Sequence, residues 1–389
     1  MTPTRNTFLM FGSPEIGRDE INEVVATMKS GWLGTGPKAS DFEKMFKKYI
    51  GSKYAIALSS CTAGLHLSLV VAGVKPKDEI ITTPMTFVST ANVIVHTGAI
   101  PVFADVKKDT MNIDPAKIER KITKRTKAII PVHLAGRSCD MDAILKIAKK
   151  HKLIVINDAA HAIEAEYNGR KIGALGDMAC FSFYTTKNII ACEGGMLTTS
   201  NREYADKIKT LALYGLSRGA WERFSDRGYK HYFVTCAGFK YNMTDLQASI
   251  GIHQLKKIEK KSKKRRNIWL KYNNAFKDLP CSIPAQVENN TRHAFHLYTL
   301  LVDIDRLKTS RDGIINALYK ENIGTGIHYT SLHLHPFYAK TFGYKRGDFP
   351  NAEFISDRTI SLPLSPKLTD KDVADVITAV RKVLNHYKR

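Results

Sequence analysis

The sequence predicts an α/β fold, a large domain with a mostly parallel sheet, followed by a smaller α+β C-terminal domain. Between about 53 and 200, short β-branched runs alternate with amphipathic stretches, and strands separated by helices pair in parallel, with both sheet faces covered. A long helical pattern then runs from about Asp245 to Phe276. Beyond it, strand-like and helical stretches follow one another without the strict alternation, as in an α+β unit. A chain of 389 residues suits one large core plus a smaller one. We place the division at 1–250, N-terminal segment included, and 251–389.

YAIALS (54–59) reads as the first strand, with a helix from about Thr62. EIITT (79–83) is the second, with a helix from about Val88, and IPVFADV (100–106), AIIPVHL (128–134) and LIVIND (153–158) continue the series. From Met141 to Lys150, apolar residues recur at three- and four-residue spacing with lysines outside, the mark of an amphipathic helix. Thr244 is placed to cap the long helix. HAFHLYTLLVDI (293–304) reads as a strand, a helix lies near 311–321, and the last helix starts at about Thr369. No internal repeat or low-complexity segment interrupts the chain.

With 59 Lys and Arg against 37 Asp and Glu, the formal charge is +22. Such a surplus raises nucleic acid, membrane surfaces and anionic substrates as partners. The densest basic run, from Leu255 to Arg266, lies within the helical pattern and reads as a solvated helix face. It lacks the interleaved aromatics of a single-strand binder, so we expect no nucleic-acid partner. Cysteines at 61, 139, 180, 192, 236 and 281 show no C-x-x-C pairing or zinc spacing, which points to a reduced compartment and no metal. No apolar run approaches about 18 residues, and the N-terminus lacks a signal-peptide pattern. A cytoplasmic protein without a membrane partner is the expectation.

The chemistry centres on Lys187 in FSFYTTKNIIACEGGMLTT (181–199). A lysine flanked by small hydroxyl residues suits imine formation, which needs a lowered pKa and a fixed approach to a carbonyl carbon. Upstream, Asp158 ends an apolar strand. A carboxylate buried there suits the protonated ring nitrogen of pyridoxal phosphate, although strand-end aspartates also cap helices. Ser60, Cys61, Thr62, Ala63 and Gly64 form a small-residue turn after a strand, able to offer backbone N–H groups to a phosphate. Helix capping alone accounts for such a turn equally well. Ser182 adds a hydroxyl, and Phe87, just past another strand end, suits a ring face as well as it suits core packing.

The stretches SGWLGTGPK (30–38), SSCTAGLHLSL (59–69), TTPMTFVSTAN (82–92), PVHLAGRSCDMDAI (131–144), DAAHA (158–162), FSFYTTKNI (181–189), EGGM (193–196) and GFKYNMTDLQASIG (238–251) together resemble the DegT/StrS sugar aminotransferases. That group is a branch of the aspartate-aminotransferase-like fold, pyridoxal phosphate fold type I. The resemblance spans nearly the whole chain and is nearest in look to enzymes aminating C4 of UDP-linked sugars, such as the UDP-4-amino-4-deoxy-L-arabinose transaminases. It implies that Lys187 holds the cofactor as a Schiff base, Asp158 meets the pyridine nitrogen, and His161 contacts the ring face or phenolic oxygen. Phe87 would stack on the ring. Thr62, Ala63 and Ser182 would hold the phosphate, joined by Asn242 from a second subunit, so that a homodimer shares its active sites.

The resemblance also implies substrate contacts from Trp32, Thr35, Arg218, His328 and Tyr329. His328, in an apolar run, reads as readily as a structural histidine. HLHPFYAKTFGYKRGDFP (333–350) departs from the arabinose enzyme, which leaves the sugar open. The implied substrates are L-glutamate and a nucleotide-diphosphate 4-keto hexose, in surface-glycan or amino-sugar biosynthesis. Amination at C3 uses the same machinery and is the alternative. Relatives with histidine in place of the lysine act as dehydratases, and Lys187 argues against that. A non-catalytic basic protein on this scaffold is disfavoured by Lys187, Asp158 and Ser182 standing together.

Overall fold

The structure, a computed structural model, describes residues 2–217 and 231–389. Seven strands form the main sheet: β1 (Tyr54–Leu58), β2 (Glu79–Thr82), β3 (Ile100–Phe103), β4 (Thr126–Ile130), β5 (Ile154–Asp158), β8 (Met178–Ser182) and β9 (Gly195–Thr199). Two short strands, β6 (Glu166–Tyr167) and β7 (Arg170–Lys171), lie apart from it. The order across the main sheet is β1-β9-β8-β5-β4-β2-β3. Neighbours from β8 to β3 are parallel. Only β9 runs against its neighbours β1 and β8. The link from β8 to β9 contains no helix, so the chain doubles back directly, whereas a parallel return needs a crossover.

The five strands expected from β-branched runs form as β1 to β5. β8 and β9 fall in stretches valued for their chemistry rather than read as strands. Both are buried along their length apart from Ser182, and fully buried strands lose the alternation that marks a half-exposed one.

The long helical pattern is two helices, Asp245–Lys256 and Ile258–Phe276, broken at Lys257. Thr244 caps the first in a reciprocal capping box with Gln247. The halves bury different faces. Ala248, Ile252 and Leu255 join the core of the main sheet, whereas Ile268, Trp269, Tyr272 and Phe276 join a second core. A straight helix cannot follow both surfaces, and Lys257 at the break bonds Asp19 at 2.9 Å and Glu20 at 3.0 Å.

That second core surrounds an antiparallel sheet in the order β10-β12-β13, formed by Cys281–Ser282, Tyr298–Val302 and Thr359–Leu362. Helices Arg311–Lys320 and Asp370–Tyr387 pack on it. A further strand, β11 (Thr291–Arg292), pairs with β6. Leu9 at the N-terminus bridges Ile323, and Arg5 reaches Asp372 and Asp375, each at 2.7 Å.

Within 293–304 only Tyr298–Val302 is strand. The residues before it run instead along the loop after β4, where Ala294 N–H donates to Gly136 O at 2.8 Å and His296 N–H to Ala135 O at 3.1 Å. This detour carries His296 to the functional site. Among the described residues the six cysteines are free, no acidic, His or Cys cluster suits a metal, and no helix is long and apolar enough to cross a membrane.

Candidate active site

The parallel strands end on one side of the sheet, where ligands gather in such folds. A cavity of about 390 Å³ opens there. Thr62, Phe87, Asp158, His161, Ser182, Lys187 and Tyr329, drawn from five separate segments, all line it.

Asp158 closes β5 and is 5% exposed. Its Oδ2 accepts the Thr90 hydroxyl at 2.7 Å and its Oδ1 accepts the Ala160 N–H at 3.2 Å. Burial pushes its carboxyl above the usual range, while the Thr90 and Ala160 hydrogen bonds and the Lys187 charge pull it back. A buried carboxylate with so little compensation is matched to a cationic partner.

Lys187 follows β8 in a turn closed by its own N–H to Tyr184 O at 2.9 Å. Burial lowers its amine to about 8, against the pull of Asp158 and Cys61 in the other direction. Near neutral pH such a lysine exchanges between ammonium and amine, which imine chemistry requires.

His161 accepts the Ala135 N–H through Nδ1 at 3.3 Å. A ring nitrogen that accepts carries no hydrogen, so Nε2 is protonated in the neutral ring and donates to Tyr329 Oη at 3.2 Å. The Tyr329 hydroxyl hydrogen is thereby left for another acceptor. Burial first, then Lys187, His296 and His328, hold His161 well below the ordinary imidazole value. A neutral ring can lie against a cationic group without repulsion.

The helix Cys61–Val71 starts at the cavity edge. Its cap, Ser60, accepts the Ala63 N–H through Oγ at 3.0 Å, and Ser60 O accepts the Gly64 N–H at 3.2 Å. The amides of Cys61 and Thr62 therefore remain for an anion at the helix start. Gly195 explains part of the EGGM motif. A Cβ there would lie 2.3 Å from Ser60 C and 2.5 Å from Cys61 N, so only glycine lets β9 approach this turn.

The other expected residues lie elsewhere. Ala63 is buried behind the turn, with its amide taken by Ser60. Thr35 and Asn242 line a separate cavity of about 400 Å³. Thr35 donates to Met243 O and accepts from Asn242 Nδ2, both at 2.5 Å. Trp32 lies against Gly36 in the same loop, which Asp245 anchors by accepting the N–H groups of Gly36, Lys38 and Ala39. His328 bonds Ser361 at 2.8 Å and packs on Phe11 instead of lining the lysine cavity. Arg218 is outside the described residues.

Sequence reasoning gave no role to Thr90 and His296, nor to Tyr184 and Glu193, which also line the cavity. Thr86 and Thr90 bond each other at 2.8 Å, and their four-residue spacing at a strand-to-helix junction was the available signal for Thr90. His296 had none.

A lysine poised near neutrality, a buried carboxylate, a neutral imidazole and a helix start, gathered at the strand ends of an α/β sheet, define a lysine-based amine-transfer site. The chain belongs to the DegT/DnrJ/EryC1/StrS aminotransferase family, which it matches over residues 14–381. It is 58% identical over 381 residues to the uncharacterized protein MJ1066 of Methanocaldococcus jannaschii, covering 98% of this chain and 99% of that one. It is 51% identical over 385 residues to the spore coat polysaccharide biosynthesis protein SpsC of Bacillus subtilis, covering 99% of each. The solved putative sugar aminotransferase Spr1654 of Streptococcus pneumoniae is 32% identical. The TM-score is 0.90 in its PLP form and 0.92 in its PMP form, with 97% of this chain and 99% of that one covered.

The donor set fits pyridoxal phosphate. The buried Asp158 carboxyl could face a protonated ring nitrogen, the Lys187 amine could take the aldehyde, and the Cys61 and Thr62 amides with Ser182 could cradle the phosphate.

Proposed function

We propose that this aminotransferase uses pyridoxal phosphate to move an amino group from L-glutamate to C4 of a nucleotide-linked 4-keto hexose, in surface-glycan or amino-sugar biosynthesis. The observation that carries the reading is Lys187, with its amine lowered to about 8, sharing one cavity with buried Asp158 and neutral His161. The sugar and the polysaccharide setting draw on the named relatives, and C4 rests on the sequence resemblance.

When bound, the cofactor supplies a carbonyl for an amine and a protonated ring that takes up the electron pair freed as the substrate carbon loses its proton. The residues supply the rest. Lys187 Nζ holds the aldehyde and moves a proton to and from the substrate carbon. Asp158 keeps the ring nitrogen protonated, an effect strengthened by its dry surroundings. Phe87 would stack on the ring and His161 would contact its face or phenolic oxygen, while Ser182, Thr62 and the helix start would hold the phosphate. Tyr329, which lines the lysine cavity, would contact the sugar nucleotide. Thr35, beside Asn242 in the separate cavity, and Trp32 in the same segment would do so only across the homodimer, while His328 sits one step back from the cavity and Arg218 lies outside the described residues.

The active unit in this reading is a homodimer, with Asn242 of the partner subunit completing the phosphate site. Asn242 Oδ1 is buried without a hydrogen-bond partner in the described chain. On helix Arg18–Lys29, Ile21, Val25 and Met28 expose an apolar stripe at helical spacing, a surface suited to burial against a second copy. In this reading residues 1–250 hold the cofactor, and 251–389, which begin inside helix Asp245–Lys256, carry the second core.

The test is a panel of UDP-, dTDP- and GDP-linked 4-keto and 3-keto sugars incubated with glutamate, followed by 2-oxoglutarate release and by NMR of the aminated product. A C4 amine supports the assignment, and a C3 amine overturns it within the same family chemistry. Release of 2-oxoglutarate by Lys187→Ala at the wild-type rate would sink the role of the lysine.

A further inference from the structure

A buried polar chain behind the Lys187 loop has no place in the chemistry above. Asn188, the next residue, is 8% exposed. Its Nδ2 donates to Glu164 Oε2 at 2.7 Å and to Ala294 O at 2.9 Å. A backbone carbonyl can only accept, so the amide orientation is fixed and Oδ1 faces the other way. There it meets His296 Nδ1 at 2.9 Å. Because Asn188 Oδ1 has no hydrogen to give, His296 must carry one on Nδ1.

The His296 ring lies against the His161 ring, with centroids 4.4 Å apart and planes tilted by 40°. Ala135 ties the two residues together, through the ring of His161 and the backbone of His296. Ala135 N–H donates to His161 Nδ1 and Ala135 O accepts the His296 backbone N–H. Glu164, fully buried, is paired with Arg265 from helix Ile258–Phe276, itself 2% exposed. A buried ion pair gives little net stability over an apolar replacement. What this one does offer is a fixed acceptor for Asn188.

We propose that Asn188 is a positioning residue. Held by Glu164 and Ala294, it fixes His296 as the Nδ1–H tautomer and thereby sets both the support behind the His161 ring and the backbone that carries Lys187. Arg265 holds Glu164 in place from the helix that leads into the second core. The catalytic half of this inference rests on the amine-transfer reading above, whereas the tautomer half does not.

The test uses full-length protein labelled with ¹⁵N-histidine, in which side-chain nitrogen shifts report each tautomer and His296→Gln assigns the His296 signal. Wild-type His296 is expected to be protonated on Nδ1. Asn188→Leu, near in volume but without an acceptor, should move that proton to Nε2. It should also lower kcat by about tenfold or more while KM for the sugar changes by less than about threefold. Glu164→Gln with Arg265→Met removes both charges yet leaves a carbonyl for Asn188, and should retain the tautomer and most of kcat. Glu164→Leu with Arg265→Met removes that acceptor and should behave like Asn188→Leu, so this pair decides the matter if Asn188→Leu does not fold. His296 protonated on Nε2 or on both nitrogens in the wild type overturns the inference, as does a tautomer that moves while kcat stays unchanged. If wild-type protein transfers no amine to any sugar, the function falls while the nitrogen shifts still decide the role of Asn188.

Discussion

Thr90 donates its hydroxyl hydrogen to Asp158 Oδ2 at 2.7 Å, from inside the first turn of the helix that follows β2. It is the strongest of the contacts that keep the buried carboxyl from rising further. Thr90→Val preserves the shape and removes that donor. A hydrogen bond to a charged group is worth about 1.5–3 kcal/mol, so kcat should fall roughly tenfold to a hundredfold. The fall should steepen toward acid pH as Asp158 protonates more readily. A variant with an unchanged pH–kcat profile would show that Asp158 is held by other means.

Gly195 permits β9 to touch the turn at Ser60 and Cys61. Gly195→Ala forces the strand and the helix start apart, at about 1–3 kcal/mol of stability. Because the same backbone frames the phosphate cradle, cofactor retention on a desalting column should drop more than the melting temperature does. Full retention with a normal melting temperature would show that the turn yields without cost.

Lys187 carries a stability signature of its own. Its amine titrates at about 8 in the folded chain against about 10.4 when unfolded. Below pH 8 both states hold the proton and the folded state bears the whole cost of burying the charge. That cost disappears as pH rises from about 8 to about 10.4. Cofactor-free Lys187→Met should therefore be more stable than wild type by up to about 3 kcal/mol at pH 7. The gain should shrink across that window, and denaturant unfolding at pH 7 and pH 10.5 would read it directly.

The proposed sharing of active sites makes a stoichiometric prediction. A dimer of one Lys187→Ala subunit and one Asn242→Ala subunit has one site with both defects and one with neither. Unfolding and co-refolding an equal mixture should restore up to about a quarter of wild-type activity, the statistical share of mixed dimers and intact sites. Activity no greater than the average of the two parents would mean that each chain builds its site alone.

The local chemistry of the strand ends was legible in the sequence. β-branched runs alternating with amphipathic stretches marked β1 to β5 as strands of a mostly parallel sheet, because side-chain periodicity is a property of neighbouring residues, whereas their order and the antiparallel pairing of β1 with β9 had no local signal. Asp158, Ser182, Lys187 and the small turn at Ser60–Gly64 each advertise their chemistry through adjacent residues, and with the family resemblance they outlined the site. His161 and Asn242 were reached through that resemblance alone.

Other features exist only once the chain is folded. Asn188 meets His296 across 108 residues and Glu164 meets Arg265 across 101, contacts for which no local pattern has a signature. The break at Lys257 arises because two halves of one helical pattern bury their faces against different cores. Gly195 looks like any turn glycine until β9 lies against Ser60. Short-range periodicity and residue type were enough to reveal β1 to β5, the amphipathic helices and the chemistry of Lys187, Asp158 and Ser182. Tertiary structure alone decided which proton each imidazole bears and how far the Lys187 amine is depressed, because those depend on burial and on partners brought together from distant segments.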